Sequence, residues 1–354
     1  MVGPIIVVAA VTAAVVAFVP TGTPVTNDPP PANALSPAQT FGHADGLISD
    51  PFVLPTPRLD YMYSSGIDGV GQLHMPERTF TVMGHFSFVR DAMPTLPAWV
   101  EPNTGLWSPD VRKVGNVYVM WFSGHDWLYR LPWGHMDECI GIATSASPTG
   151  PFVSPSHSPA ICQVSEYGDI DPRTFVAPDG QEWIYWKSDG NAGSLPTHIY
   201  GQRLASDGRT LTGRTVSLLT NDLPWEGPVI EAPQMVHVGN RYLLFFSGNI
   251  SEGSNSGVGL ALCQGPGGPC TSRYAGPWLG SNIQGAGPDE QTNYTQNGVT
   301  WMLYTPNAIY YPFAYPKLVA ARVAFTATGM PYIADRQGMV PGITAGKDGQ
   351  VGDS

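Results

Sequence analysis

Hydrophobic and polar positions along this chain repeat at long range. Five segments share one pattern: a carboxylate, a short apolar stretch, a turn, an alternating aromatic strand and a small polar loop. They are DPFVLPTPRLDYMYSSG from Asp50, DVRKVGNVYVMWFSG from Asp110, DPRTFVAPDGQEWIYWKSDGN from Asp171, EAPQMVHVGNRYLLFFSGN from Glu231 and EQTNYTQNGVTWMLYTPN from Glu290. Their starts lie 60, 61, 60 and 59 residues apart. Further strand-like runs follow in each copy: FTVMGHFSFV at 80–89, CIGIATSA at 139–146, IYGQRLAS at 199–206, VGLALC at 258–263 and LVAARVAFT at 318–326. No stretch carries the period of a four-turn amphipathic helix. Short strands, turn residues and a fixed period predict an all-β chain, a five-bladed β-propeller over residues 43–340. A pair of β-sandwiches is the alternative, and the even period disfavours it.

In a propeller the first strand of each blade lines the central channel. The repeat therefore gathers Asp50, Asp110, Asp171, Glu231 and Glu290 around one mouth. The second strand of each hairpin returns to the same face. Its following loop borders that mouth too, which places His125, Asp126, Trp127, Asp189, Asn191, Asn249 and Asn307 there. A cluster of like charges raises some carboxyl pKa values, as a general acid needs. A divalent cation held by several carboxylates, or a merely structural ring, would use the same residues. By this register Glu231 occupies the repeat position, whereas Glu226 falls five residues earlier, as a loop residue ahead of the inner strand.

Composition narrows the class. Of 354 residues, 41 are Gly and 35 Pro, and only 13% are charged; with 10 Trp, 15 Tyr and 13 Phe this is a turn-rich, aromatic-rich β-protein. A net charge of -11 argues against nucleic acid or anionic membranes as partners, because both require basic faces. An apolar run at residues 4–19 has the length of a secretory leader rather than of a membrane span, although no Lys or Arg precedes it. Residues 1–19 are thus expected to be a signal peptide or anchor, 20–42 a Pro-rich linker and 341–354 a flexible tail. A secreted monomer with no stable membrane span is the expectation. The four cysteines, Cys139, Cys162, Cys263 and Cys270, lack a C-x-x-C metal spacing. An even count in an exported chain predicts two disulfides. The loop from Cys263 to Cys270 is short enough to be pinned, which leaves Cys139 for Cys162.

The motifs resemble those of glycoside hydrolase family 43 over roughly residues 45–335. Ser49-Asp50-Pro51 is similar to the family's blade-one Asp-Pro, and Trp107-Ser108-Pro109-Asp110-Val111 to its blade-two Trp-Ala-Pro-Asp-Val. Asp169-Ile170-Asp171-Pro172 resembles the blade-three Ile-Asp-Pro. Glu231-Ala232-Pro233, followed by Gly239-Asn240-Arg241-Tyr242, resembles the general-acid motif. The resemblance implies a five-bladed propeller acting on arabinofuranosides or xylosides, and hence arabinose- or xylose-containing cell-wall saccharides as partners. It implies Asp50 as general base, Asp171 as the residue that tunes and orients the acid, and Glu231 as general acid. Trp107, Asp110, His125, Asn249 and Glu290 are the expected sugar contacts, with Trp107 and Trp127 suited to stacking. No cofactor is implied beyond a structural cation such as calcium in the channel. The run Gly287-Pro288-Asp289-Glu290 departs from the family's Gly-Pro-Gly-His, whose His faces the channel. Glu290 is therefore expected to bind a cation differently or to contact the sugar.

Overall fold

A computed structural model describes residues 39–41 and 48–334, apart from 67, 70–71, 82–85, 88, 131–135, 252–253, 282–285 and 308–317. The expected leader, most of the linker and the tail lie outside the described residues. Five antiparallel sheets form a ring, a five-bladed β-propeller. The first blade holds β2 (Phe52–Leu54), β3 (Asp60–Tyr63), β4 (Pro76–Phe80) and β5 (Arg90–Asp91). The second holds β6 (Trp107–Val114), β7 (Val117–Arg130) and β8 (Met136–Ser145). The third runs β9 (Asp169–Val176), β10 (Glu182–Ser188), β11 (His198–Leu204) and β12 (Leu211–Thr220). In the fourth are β13 (Ile230–Val238), β14 (Arg241–Gly248), β15 (Gly257–Cys263) and β16 (Cys270–Ser272). The fifth combines β17 (Ala286–Gln296), β18 (Val299–Asn307) and β19 (Leu318–Phe325) with β1 (Gln39–Phe41), and β20 (Pro331–Ile333) also pairs with β19. Each inner strand contacts the next, β2 to β6, β9, β13, β17 and back to β2, so the ring is closed.

The aromatic runs of the second strands follow from this stacking. A blade is covered on both faces, so its middle strand buries alternate residues against two neighbours. In β7, Met120 and Phe122 join the cluster shared with the first blade, while Val119 and Trp121 join the one shared with the third. In β14, Leu244 and Phe246 face the third blade, and Leu243 and Phe245 the fifth. A fifth cluster, with Met62, Phe80 and Leu303, closes the ring between the last blade and the first. Among the described residues there are thus five clusters for five interfaces.

Two expectations change. Residues 39–41, assigned to the linker, form β1, whose Gln39 to Phe41 pair with Ala320 to Leu318; an N-terminal strand in the last blade ties the two ends of the ring together. The third strand of the first blade is β4 rather than 80–89. Past Phe80 the chain turns back on itself, with Ser87 N donating to Thr79 O and Thr79 N donating to Ser87 Oγ, each at 2.8 Å. Among the described residues no α-helix is present, and no helix is long and apolar enough to cross a membrane.

Both expected disulfides are present, Cys139–Cys162 and Cys263–Cys270, with sequence separations of 23 and 7. On the loop-closure argument each should contribute roughly 2–4 kcal/mol, the longer loop more. Denaturant melts of the Cys139→Ser/Cys162→Ser and Cys263→Ser/Cys270→Ser pairs test this. The 139–162 pair should lose more stability, and equal midpoints for the two would contradict loop length as the cause.

Candidate active site

The inner strands are bulged at one shared point. Pairing with the second strand skips two residues after Trp107, Ile170, Glu231 and Asp289. The first skipped residue is left-handed: Ser108 (φ 48), Asp171 (φ 59), Ala232 (φ 49) and Glu290 (φ 51), with Asp50 (φ 47) at the corresponding place in the first blade. A bulge re-aims a side chain, and non-glycine residues in this region cost about 1–3 kcal/mol, which marks a constrained site. Hydrogen bonds between blades hold it. Ser108 N donates to Ser65 Oγ at 3.4 Å, Asp171 N to Ser123 Oγ at 3.1 Å and Glu290 N to Ser247 Oγ at 3.1 Å.

This bulge corrects the expected register. Asp50, Asp171 and Glu290 share it, but Glu231 lies one residue before it and Asp110 two after. The reason is visible at the hairpins: the bulge falls seven residues before Gly115, Gly239 and Asn297, which all have positive φ. Counting from carboxylate to carboxylate missed that anchor. Asp110 is consequently no mouth residue. It is buried, and its carboxylate accepts Thr174 N at 3.1 Å and Thr174 Oγ1 at 2.5 Å, joining the second blade to the third.

Asp171 bridges three blades. Its Oδ1 accepts Ser108 Oγ at 2.5 Å and its Oδ2 accepts Ala232 N at 3.0 Å. Glu231 lies beside it. One oxygen, Oε2, is 3.4 Å from Lys187 Nζ; the other, Oε1, is buried with no hydrogen-bond partner among the described residues. Burial pushes the Glu231 pKa up to about 7 against the pull of Lys187, and Asp171 and Asp189 add to the rise. Asp50 accepts hydrogen bonds from Ser65 and from the Glu290 carboxyl; burial raises its pKa, and Asp171 adds to that. Two carboxyl groups in such contact share a proton. Burial, then Asp50 and Asp171, hold Glu290 well above the usual carboxylate range, so that proton belongs on Glu290. Asp289, the neighbouring carboxyl, is raised by burial and next by Glu231.

Sequence reasoning passed over two cations here. Arg173 is buried two residues beyond Asp171; it donates from Nη1 to Pro109 O at 3.1 Å and lies 5.1 Å over the Phe52 ring. Burial works against its charge, and Asp110, Asp171, Glu290 and Asp50 support it. Lys187 is a departure: the other second strands carry Ser65, Ser123, Ser247 and Thr305 at its register.

The remaining candidates divide. Trp107 and His125 pack together at the mouth, ring centroids 4.8 Å apart, with His125 Nδ1 3.7 Å from Glu138 Oε1. Burial pushes Glu138 up to about 8. Trp127 is exposed on the rim, its Nε1 donating to Ala98 O at 3.0 Å. Asn249 ties its loop to the one before β13, donating from Nδ2 to Trp225 O at 3.1 Å, and accepts Ile250 N at 2.9 Å. Glu226 is buried in a loop turn, as expected, where its Oε2 accepts Asp222 N and Leu223 N at 2.9 and 3.0 Å. A resident calcium suits this donor set poorly. Oxygens of Asp171, Glu231 and Glu290 do lie within 4.8 Å of one another. Asp171 is already satisfied, however, and the Lys187 ammonium sits on Glu231, so protein cations supply the balancing charge.

The arrangement suits acid–base chemistry on a bond placed between Glu231 and Asp50. In solved structures the fold resembles a thermostable family-43 glycoside hydrolase, at TM-score 0.70 and 21% identity over 87% of this chain and 99% of that one. It also resembles an endo-1,4-beta-xylanase from Bacteroides thetaiotaomicron VPI-5482 (TM-score 0.68, 20% identity, 84% and 97% covered). An alpha-L-arabinofuranosidase from Lactobacillus brevis gives TM-score 0.67 and 14% identity, with 83% and 96% covered. No curated protein matches the chain. The sequence profile of one family runs from residue 44 to residue 331, through all five blades and every carboxylate described above, and the chain belongs to glycosyl hydrolases family 43.

Proposed function

We propose that this glycoside hydrolase is secreted and inverting, and that it cleaves α-L-arabinofuranosyl linkages of arabinan or arabinoxylan side chains. The observation that carries the mechanism is the Glu231 carboxyl. It is buried, has one oxygen without a partner among the described residues, and keeps its proton up to about pH 7. Such a group can protonate a glycosidic oxygen, and activity should fall as pH rises through its pKa. Asp50, held by Ser65 and Glu290, activates the water on the opposite side of the sugar. Asp171, fixed by Ser108 and Ala232, orients Glu231 and repels its ionised form. The Trp107–His125 pair and Trp127 contact the saccharide at the mouth. Support for arabinofuranosyl specificity is the sequence resemblance together with a neighbour named as an arabinofuranosidase; another neighbour is named as a xylanase.

Proton NMR of the first-formed sugar tests the mechanism, and the expected product has the anomeric configuration opposite to the substrate. Retention would mean that Asp50 attacks as a nucleophile. Screening nitrophenyl arabinofuranoside, nitrophenyl xyloside and linear arabinan tests specificity. Xyloside turnover alone would replace the arabinoside assignment with a β-xylosidase one, and saccharide binding without turnover would indicate a carbohydrate-binding propeller.

A further inference from the structure

Lys187 breaks a rule that three of the other four blades obey. At its register three blades place a serine whose Oγ accepts the N–H of the next blade's bulge residue: Ser65 for Ser108, Ser123 for Asp171 and Ser247 for Glu290. Where the third blade meets the fourth, the serine is replaced by Lys187. The bulge N–H of Ala232 is served by Asp171 Oδ2 instead. The lysine side chain, 3% exposed, is turned to two carboxylates: Asp189 Oδ1 at 2.9 Å and Glu231 Oε2 at 3.4 Å. Asp189 is itself anchored by its N–H donating to Gly168 O at 2.9 Å.

A count of charge shows what this trio does. With Glu231 protonated, Lys187 and Asp189 cancel and the buried group is neutral. Lys187 alone against Glu231 would form an ion pair and strip the acid of its proton; Asp189 alone would hold that proton too tightly. We propose that Lys187, braced by Asp189, is a positioning residue that fixes the Glu231 carboxyl and sets the pH at which it releases its proton. The inference rests on Glu231 being the general acid. Other titratable groups couple to Glu231: Asp171 from the third blade, which like Asp189 raises its pKa, and Glu138 from the second blade and Asp289 and Glu290 from the fifth, which Glu231 itself pushes up. All are acidic, so Lys187 is the counterweight among them.

Removing either member should therefore move the alkaline limb of the pH–rate profile in opposite directions. Profiles of kcat/KM would be measured on an alkyl arabinofuranoside, with or without xyloside counterparts as the specificity screen directs. Lys187→Met should shift the limb up by about one pH unit and Asp189→Asn down by about one, as for a single close charge. Lys187→Arg should return the limb near its wild-type place. With a nitrophenol leaving group, which needs no acid, the shifts should shrink. Limbs that stay put, or move together, would overturn the proposal, and Asp189→Asn with Lys187→Arg suffices for this if Lys187→Met does not fold. Glu231→Gln on both substrates is the control. If that variant shows no dependence on leaving group, the acid assignment falls and the role of Lys187 with it; if it shows the dependence while the limbs stay unmoved, only the role of Lys187 is refuted.

Discussion

Glu231→Gln should cost the enzyme about 10²–10⁴-fold in kcat/KM on natural arabinosides, equivalent to about 3–5 kcal/mol of barrier. The amide keeps the shape of the side chain and removes the proton that an alkoxide leaving group requires. On an arabinoside with an acidic nitrophenol leaving group the loss should be much smaller. Glu226→Gln is the comparison. Glu226 lies in the loop before β13 with its carboxylate spent on the backbone N–H groups of Asp222 and Leu223. Its substitution should lower stability and leave the ratio between the two substrates unchanged. Rates for both variants on both substrates give the test. A leaving-group dependence carried by Glu226→Gln would move the acid out of the inner strand and overturn the site described above.

Arg173→Met should be the most destabilising single change in the channel. The guanidinium is buried among Asp110, Asp171, Glu290 and Asp50, and its removal leaves buried carboxylates without their cation. Breaking a buried pair in this way costs about 3–5 kcal/mol. The sign of its pH dependence follows. Without Arg173 the folded-state pKa values of Asp50 and Asp110, already raised by burial, rise further above their unfolded values. The resulting penalty is present at high pH and fades as falling pH protonates them. Denaturant melts of wild type and variant at pH 8 and pH 5 check both points. A deficit below about 1 kcal/mol at pH 8, or one that does not shrink at pH 5, would mean that Arg173 carries no such balancing role.

The second of these expectations was out of reach of the one-dimensional pattern. Arg173 reads in the sequence as one polar position in a strand, DPRTF, and nothing local marks it as the cation of the channel. Its partners come from four blades, and their approach is decided by closure of the ring. Lys187 was no more readable. Counted from the hairpin pairs Val114–Val117 and Val238–Arg241, Ser123 and Ser247 lie six residues on, whereas six residues on from Glu182 is Ser188. Only the pairing beside the bulge, Lys187 with Ile170, sets Lys187 at the place of those serines.

What the sequence determined by itself is what depends on local period and repetition. Alternating apolar residues specify strands, and a double-sided apolar run such as Leu243-Leu244-Phe245-Phe246 specifies a strand buried on both faces. A constant spacing of such units specifies a ring of like blades. The same reading brought Asp50, Asp171, Glu231 and Glu290 to one region and kept Glu226 out of the inner strand. Tertiary structure alone decided which carboxylates are in register, since a two-residue bulge placed from the hairpin shifts the alternation of side chains that a straight strand would keep. It also gave Asp110 to Thr174 and Asn249 to the loop before β13, and left one oxygen of Glu231 without a partner among the described residues. Hydrogen bonds and charge pairs across blades act at a few ångströms between residues 43 to 64 positions apart, and only the closed ring brings them within that range.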